Sequence, residues 1–355
     1  MPAFPTSGTL VPGYDEAVRE VLTDIERWRA AGQRVALATV VATRRSAPRP
    51  IGSKLAVSES GELAGSVSGG CVENEVYGVA REILDGGEPR LLTFGITDDM
   101  AFSVGLPCGG EIDVWVDEPA TEVLEPLLEV VRSEGRAVAF TDLEDGSTRV
   151  VAPGEDPVGD ELLRSGHSAV VELDGRPVFA DVYAPPPRLL VFGAVDTAEA
   201  LCAAAKALGW RTIVADARTR FATADRLPSA DEIVGAWPEE ALARLQPDHS
   251  TAVVVLTHDD KFDIPALKGA LETEAFYVGA LGSRRNQARR RELLVEAGVP
   301  EDALARISGP CGLDIGAATP AETALSILAE ILAVRVGRTG GTLKEAAGRI
   351  HAEVA

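Results

Sequence analysis

The second half of the chain alternates apolar strands with helices, and this pattern constrains the fold more than any other feature. Four runs are apolar or β-branched along most of their length: 188–194, 211–217, 251–258 and 275–282. Strands of this kind are buried on both faces, as in a parallel sheet that is covered by helices. The sequence therefore predicts an α/β fold with a doubly wound, Rossmann-like parallel sheet, followed by a long helix at about 320–337.

The first half has a mixed pattern that predicts a separate α+β domain. Residues 14–31 carry apolar side chains at three- and four-residue steps, and residues 35–44 form a β-branched run. The three prolines at 185–187 cannot join a sheet centrally, so we place the domain boundary there. The expected domains are 1–187 and 188–340, with a C-terminal tail at 341–355.

Composition excludes several classes of protein. The formal net charge is −21, and such an acidic surface repels phosphate backbones, so we expect no nucleic-acid partner. No apolar run approaches the roughly 20 residues of a membrane span. The first residues lack the basic and apolar regions of a signal peptide. These features predict a cytoplasmic protein whose four cysteines are free thiols.

The first candidate site is the segment SGGCVE, residues 68–73. Gly69 and Gly70 allow a tight turn, which we expect to place Cys71 in the first turn of a helix. The helix dipole would there favour thiolate, which can attack, form a persulfide or ligate a soft metal. Glu73 could cap the helix or accept a proton. The alternative is a small buried cysteine in a tight turn.

A second Gly-flanked thiol stands before a predicted strand, at Cys108, Gly109 and Gly110. Two such cysteines in one domain could share a site that holds a metal-bound dithiolene cofactor, or they could pair reversibly. Two unrelated tight turns would give the same spacing. For Cys202, among Ala and Leu on a helix, and for Cys311, packing is the favoured interpretation.

The nucleotide-binding signal is incomplete. A dinucleotide fold requires G-x-G-x-x-G, and here Gly193 begins the segment GAVDTA. Val195 replaces the second glycine, and Asp196 puts a negative charge where a phosphate would lie. Asp216 follows the second strand, where it could bind a ribose hydroxyl or only cap a loop.

Two further groups follow later strands, at the sheet edge where such folds bind ligands. In THDDKFD, His258 could bind a metal or move protons together with the carboxylates of Asp259, Asp260 and Asp263. For the aspartates, a helix N-cap is the favoured interpretation. Ser283, Arg284 and Arg285 begin a helix in an arrangement suited to an anion. The next arginines, 289–291, are expected on a solvated face.

These segments, in this order, resemble the XdhC/CoxI family of molybdenum-enzyme accessory proteins. The matching features are SAPRPIGSKLAV, GSVSGGCVE, LPCGGEIDV, THDDKFDIPAL, FYVGALGSRR and PCGLDIGAATPAETALSILAEI. They cover roughly residues 35–117 and 188–337. The sequence departs from the family at Val195 and Asp196, where relatives usually carry a fuller Gly-rich loop.

The resemblance implies a chaperone that binds molybdenum cofactor, as molybdopterin or its cytosine dinucleotide form. It further implies that the protein assists sulfuration and delivers the cofactor to a xanthine dehydrogenase-type apoenzyme, with a cysteine desulfurase as a second partner. Cys71 and Cys108 fall on the family's cysteine positions and would approach the metal or its sulfur. A homodimer is the expected assembly. The alternatives are an NAD(P)-dependent oxidoreductase that uses the second domain and a thiol redox sensor.

Overall fold

The computed structural model of the chain describes residues 16–44, 47, 49–95 and 110–345. This part divides between Pro185 and Pro186 into two compact units, unit 1 before that point and unit 2 after it. Within the described ranges, no helix has both the length and the apolar character needed to cross a membrane.

Unit 1 contains two antiparallel sheets. The first has the strand order β3-β2-β1-β5-β4 and the second the order β7-β6-β9-β8. The strands are β1 Val35–Arg44, β2 Lys54–Ser58, β3 Leu63–Gly65, β4 Arg90–Phe94, β5 Glu111–Asp117, β6 Ala137–Asp142, β7 Thr148–Val151, β8 Ala169–Leu173 and β9 Arg176–Tyr183. The helices are α1 Glu16–Ala30, α2 Glu73–Leu84, α3 Thr121–Arg132 and α4 Pro157–Ser165.

The central strand of the first sheet has the bounds that its β-branched run predicts. Strand β1 is buried along its length except for partly buried Arg44, because it pairs with β2 on one side and with β5 on the other. Its register with β5 shifts between Val40 and Ala42. Val40 and Val41 face opposite sides of the sheet and pack in different apolar clusters, as alternation along a strand requires. Helix α2 packs on the same sheet through Val76, Ala80 and Ile83, and this contact fixes the start of α2 beside the candidate site.

A buried ion pair joins the two sheets of unit 1. The ammonium group of Lys54, in β2, lies 2.5 Å from a carboxylate oxygen of Asp181, in β9. The same group lies 3.4 Å from the hydroxyl of Thr39 and 5.5 Å from the ring centroid of Tyr183. A lysine can be buried only where such partners replace its water.

Unit 2 is the predicted Rossmann-like sheet, and all its strand pairs are parallel. The strand order is β12-β11-β10-β13-β14-β15. The strands are β10 Arg188–Phe192, β11 Arg211–Ala215, β12 Glu232–Val234, β13 Thr251–Val255, β14 Tyr277–Ala280 and β15 Ile307–Ser308. The helices are α5 Asp196–Lys206, α6 Pro238–Leu245, α7 Asp260–Leu271, α8 Arg284–Glu296, α9 Glu301–Leu304 and α10 Pro320–Arg335. Apolar clusters cover both faces of this sheet, which confirms the predicted fold class.

Arg290 corrects one sequence-based expectation, because it is buried rather than solvated. Its side chain is 4% exposed and forms an ion pair with Asp263, which is 1% exposed. The same guanidinium donates to the carbonyl oxygens of Thr257 and Leu281, which follow β13 and β14. Asp263 also accepts from the Thr257 hydroxyl. One arginine on α8 therefore connects α7 with the ends of two neighbouring strands.

Loss of this arginine is expected to destabilise unit 2 strongly. Arg290→Ala leaves the Asp263 carboxylate buried without its cation, which should lower the free energy of unfolding by about 3–5 kcal/mol. The matched control is Arg289→Ala, which removes an exposed ion pair with Asp260 and should cost less than about 1 kcal/mol. Urea unfolding followed by circular dichroism would measure both variants. Equal losses in the two would contradict the role assigned to Arg290.

Candidate functional site

The Gly-Gly-Cys corner, residues 66–73, leads from β3 to α2 and exposes its central part. Gly69, Gly70 and Cys71 are exposed, whereas Ser68 and Val72 on either side of them are buried. Gly69 has φ +76° and Gly70 has φ +109°, and an added Cβ at either position would meet no atom within 4 Å. Both glycines are therefore required by backbone conformation and not by crowding.

The Glu73 carboxylate determines the shape of the corner. It accepts from the Ser66 hydroxyl at 2.6 Å and from the backbone N–H of Ser68 and of Gly70, both at 2.9 Å. It also accepts from the Ser68 hydroxyl, and the Val72 N–H lies 3.2 Å away. A single carboxylate thus accepts hydrogen bonds from most of the turn. The turn therefore folds back against the start of α2.

These hydrogen bonds change the acidity of Glu73. Burial raises its pKa, but donation from the Ser66 and Ser68 hydroxyls and from the Ser68 backbone outweighs burial and lowers the pKa from 4.5 to about 2. Glu73 is therefore ionised at neutral pH and acts as a structural acceptor. A role as proton acceptor, which the sequence suggests as one option, would require these bonds to break first.

The backbone donors next to the thiol are also occupied. The N–H groups of Cys71 and Val72 donate to the Ser68 hydroxyl oxygen at 2.9 and 3.0 Å. Helix α2 begins at Glu73 with Val72 as its N-cap, so the prediction that Cys71 lies in the first helical turn is wrong. The alternative of a buried cysteine is also wrong, because Cys71 is an exposed free thiol. The corner thus presents a thiol to solvent while its amides point inward.

The second thiol cannot be compared with the first, because Cys108 and Gly109 lie outside the described residues. Gly110 is described and is buried immediately before β5. Over the ranges that the structure describes, no three His, Cys, Asp or Glu side chains form a group suited to a metal ion. A shared Cys71–Cys108 site therefore stays a prediction.

In unit 2, Gly193 and Asp216 lie together at the carboxyl ends of β10 and β11. Gly193 has φ +114°, and a Cβ there would lie 2.7 Å from the methyl group of Thr257, so packing against the next strand requires glycine. Asp216 accepts from the Ala194 N–H at 2.8 Å and from the backbone N–H, Nε and Nη2 of Arg218 at 2.7–3.0 Å. Each carboxylate oxygen thus receives two donors, which fills its usual capacity.

Burial raises the pKa of Asp216, but the hydrogen bonds from Arg218 and from the Ala194 N–H outweigh burial and lower it. This charged, saturated carboxylate leaves little room for a ribose hydroxyl. Asp216 as a direct nucleotide contact stays a prediction, and that contact would require Arg218 to move.

The other two predicted groups follow β13 and β14. His258 is exposed and stands directly before Asp259, whose carboxylate caps α7 by accepting from the Lys261 N–H. Ser283 caps α8 by accepting from the Asn286 N–H, and Arg284 and Arg285 are exposed beside it. All these residues follow carboxyl ends of parallel strands, so they lie along one edge of the sheet. Their roles in binding stay predictions.

Cys202 and Cys311 are both buried, and burial raises the pKa of each thiol to about 12. Both therefore stay protonated at neutral pH and pack as small apolar side chains. The sequence analysis gives no role to Ser68, which begins the segment SGGCVE, and does not single out Ser66, although both serines donate to Glu73. Two serines in alternate positions before a Gly-Gly pair are the signal that could have revealed them.

The chain has relatives along most of its length. A family model described as the XdhC and CoxI family matches residues 28–95, and one described as the XdhC Rossmann domain matches residues 189–331. The chain is 30% identical over 308 residues to the molybdenum cofactor insertion chaperone PaoD of Escherichia coli, and the match covers 86% of this chain and 85% of that protein. The chain belongs to the XdhC and CoxI family.

Two further proteins are similar to this chain over most of its length. The chain is 30% identical to a protein of Bacillus subtilis named as a probable xanthine dehydrogenase subunit, over 84% of this chain and 92% of that protein. The crystal structure of a xanthine dehydrogenase from Bacillus halodurans superposes with a TM-score of 0.66 at 24% identity, over 92% of this chain and 98% of that chain. At this identity the superposition supports the fold alone.

The contribution of Glu73 to stability should depend on pH. Because its folded pKa of about 2 lies below the ordinary 4.5, the contribution is complete above pH 4.5 and is lost as pH falls towards 2. Glu73→Gln should therefore be less stable than the wild type at pH 7, and the difference should shrink between pH 4.5 and 2. Glu75→Gln, an exposed neighbour in the same helical turn, is the control.

Urea unfolding at several pH values would measure this difference. Hydrogen exchange of the peptide spanning residues 66–73 would report the same loss locally, as faster exchange at Gly70 and Cys71. A gap between wild type and Glu73→Gln that stays constant from pH 7 to 2 would contradict the role assigned to Glu73.

Proposed function

We propose that this protein binds molybdenum cofactor, assists its sulfuration and delivers it to a xanthine dehydrogenase-type apoenzyme. The observation that carries the proposal is family membership together with a relative that is named a molybdenum cofactor insertion chaperone and matches over 85% of its length. Both family models match this chain, one in each unit. The cofactor is cargo in this proposal.

The chemistry of the Gly-Gly-Cys corner fits such cargo. Thiolate is a soft ligand that suits a thiophilic metal or its sulfur, and Cys71 is exposed in a corner with open space around Gly69 and Gly70. The corner is held by Glu73 and two serines, so Cys71 is presented without a cost of ordering the loop at binding. The inward amides cannot hold a phosphate, so cofactor phosphate would need other donors.

Unit 2 has a separate predicted anion site at Ser283, Arg284 and Arg285, which begin α8. The two arginines are exposed, and arginine binds phosphate by paired hydrogen bonds. A cysteine desulfurase would supply sulfur, and Cys71 is the described thiol that is exposed to receive it. Whether the cargo is molybdopterin or its cytosine dinucleotide form is a question for the binding experiment.

The test is retention of released molybdenum cofactor under anaerobic conditions. Wild-type protein should retain molybdenum and pterin after desalting, and Cys71→Ala should retain at least about tenfold less, because one metal or sulfur contact is lost. Cys108→Ala tests the second predicted contact in the same way. Cys202→Ala is the matched control, since it removes a thiol that is buried in unit 2 and should leave retention unchanged.

Mass spectrometry of the bound pterin would identify the cofactor form. Failure of the wild type to retain cofactor would overturn the proposal. Equal retention by wild type and Cys71→Ala would show that the Cys71 thiol does not contribute to cofactor binding, and only the carrier role would remain in the proposal.

A further inference from the structure

Helix α10 is apolar on its solvent side as well as on the side that packs on the sheet of unit 2. The inner side contributes to the core through the buried side chains of Ala324, Ile327, Leu328 and Ile331. On the outer side, Leu325 is 58% exposed and Leu332 is 37% exposed. We call this outer side, whose residues are exposed or partly buried, the α10 face; its members are Ala321, Leu325, Ala329, Leu332, Ala333 and Val336.

Such an outer side is unusual for a helix of a globular protein, because the solvent side of a surface helix is normally polar. Helix α8 covers the opposite face of the same sheet and has the normal pattern. Its exposed residues include Arg284, Arg285, Arg289 and Arg291. An exposed apolar patch on a helix that is already packed on its other side indicates a surface that a partner covers.

Helix α5 extends this apolar surface. It packs beside α10 on the same face of the sheet. Ala203 and the residues Ala207 and Leu208 at its end are exposed, and Leu208 is 46% exposed. A standard interface buries roughly 800 Å² on each partner, which is more than one helix of this length offers. The two helices together are therefore the surface to consider.

Arg335, in the last turn of α10, is a cation without an acidic partner among the described residues. Its Nη1 is buried and has no hydrogen-bond partner in the described structure. The guanidinium stands 5.5 Å from the ring centroid of Trp210, and burial lowers the pKa of Arg335 to about 10. Because a desolvated cation without a counter-ion is unfavourable, a carboxylate that approaches the exposed part of Arg335 would stabilise it.

The order of residues along α10 is self-complementary. Leu325 and Leu332 are equally distant from the midpoint at 328–329, and so are Glu322 and Arg335. In an antiparallel pair of α10 helices, Leu325 of each copy lies opposite Leu332 of the other, and Glu322 comes to the same end as Arg335. A twofold interface between identical chains requires this kind of reciprocal match.

Size and charge also favour a second copy as the occupant. Ala329 is close to the midpoint and Ala333 lies one turn further on, and small residues let two helices approach closely. The chain has a net charge of −21, so two copies repel each other over most of their surface. The α10 face has no charged member, which makes it a surface on which two such acidic chains can meet.

We infer that two copies of this chain associate through the α10 face and the adjoining end of α5, with the α10 helices antiparallel about a twofold axis near Ala329. Leu325 of each copy packs on Leu332 of the other, and Glu322 of each copy pairs with Arg335 of the other. The inference gives the homodimer that the sequence predicts a specific interface. It does not rest on the proposed binding of molybdenum cofactor.

Sedimentation equilibrium of the full chain at a series of concentrations tests the association. We expect the wild type to approach twice the chain mass of 37.2 kDa. Leu325→Glu and Leu332→Glu change exposed positions, so they should fold, and each should raise the dimer dissociation constant at least about tenfold because a charge would be buried against leucine. Val295→Glu is the matched control, since Val295 is an apolar residue of α8 that is 51% exposed.

Two outcomes of this experiment would overturn the inference. The first is a wild type that stays monomeric at every concentration, in which case another partner covers the α10 face. The second is a dimer that Leu325→Glu and Leu332→Glu leave as stable as Val295→Glu does, because the interface would then lie elsewhere.

A mixing experiment tests the antiparallel register. Within one helix, Glu322 and Arg335 lie roughly 20 Å apart along the axis, so they cannot pair with each other. Glu322→Lys would put two cations at each end of the dimer, and Arg335→Glu would put two carboxylates there. Each variant alone should therefore dimerise at least about tenfold more weakly than the wild type.

An equimolar mixture of these two variants should restore the dimer, because each end then pairs one cation with one carboxylate. Circular dichroism would verify that each variant is folded before mixing. A mixture that dimerises no better than the separate variants would refute the antiparallel arrangement and with it the inferred interface.

Discussion

The Glu73 carboxylate accepts the backbone and hydroxyl donors of the turn before it, and the Asp216 carboxylate accepts those around the end of β10. The same physical constraint underlies both: a chain that leaves a strand through a sharp turn has N–H groups with no sheet or helix partner. Water would satisfy them in an open loop, and here a carboxylate does so instead. The turns therefore have a defined shape before any ligand arrives.

Turn amides that already donate to a carboxylate are not free to bind a ligand. Amides at the start of a helix usually form the anion site of a nucleotide-binding fold. Where a carboxylate already occupies such amides, a phosphate must find its donors on side chains. In this protein Arg284 and Arg285 are exposed side chains of this kind, and the thiol of Cys71 is exposed as well. The proposed binding of molybdenum cofactor depends on exposed side chains and not on turn amides.

Strands and helices follow from the sequence more readily than the buried charges do. Strand β1 and the parallel strands of unit 2 are apolar along most of their length, and burial on both faces leaves few other structures for such runs. The sequence assigns Arg290 to a solvated face because it stands between Arg289 and Arg291, which are both exposed. Its partner Asp263 is 27 residues away in sequence, and no local pattern reveals such a pair. The pair formed by Lys54 and Asp181 escapes prediction for the same reason.

In the candidate site, too, the sequence pattern does not reveal the side-chain contacts that determine the structure. The Gly-Gly-Cys pattern predicts a tight turn, but it places the start of α2 two residues too early because Val72 continues the helical spacing of Val76 and Ala80. The hydrogen bonds of Glu73 decide the boundary, and they depend on Ser66 and Ser68 on the other side of the turn. The pairing of Cys71 with Cys108 depends on a segment beyond the described residues, so the sequence remains its sole basis.

A glycine can be required by a positive φ angle, by lack of space for a side chain, or by both, and the space around Gly69 and Gly70 is open. Gly193 has a neighbouring strand against its α-carbon, so volume and backbone angle both restrict it. At Gly69 and Gly70 the restriction is one of handedness alone, since positive φ disfavours a side chain of the L series while nothing fills the space beside them. A D-alanine introduced there by chemical ligation would match the backbone and reduce the freedom of the unfolded chain. The backbone angle at these two positions therefore favours a residue of the D series over any L residue that carries a side chain.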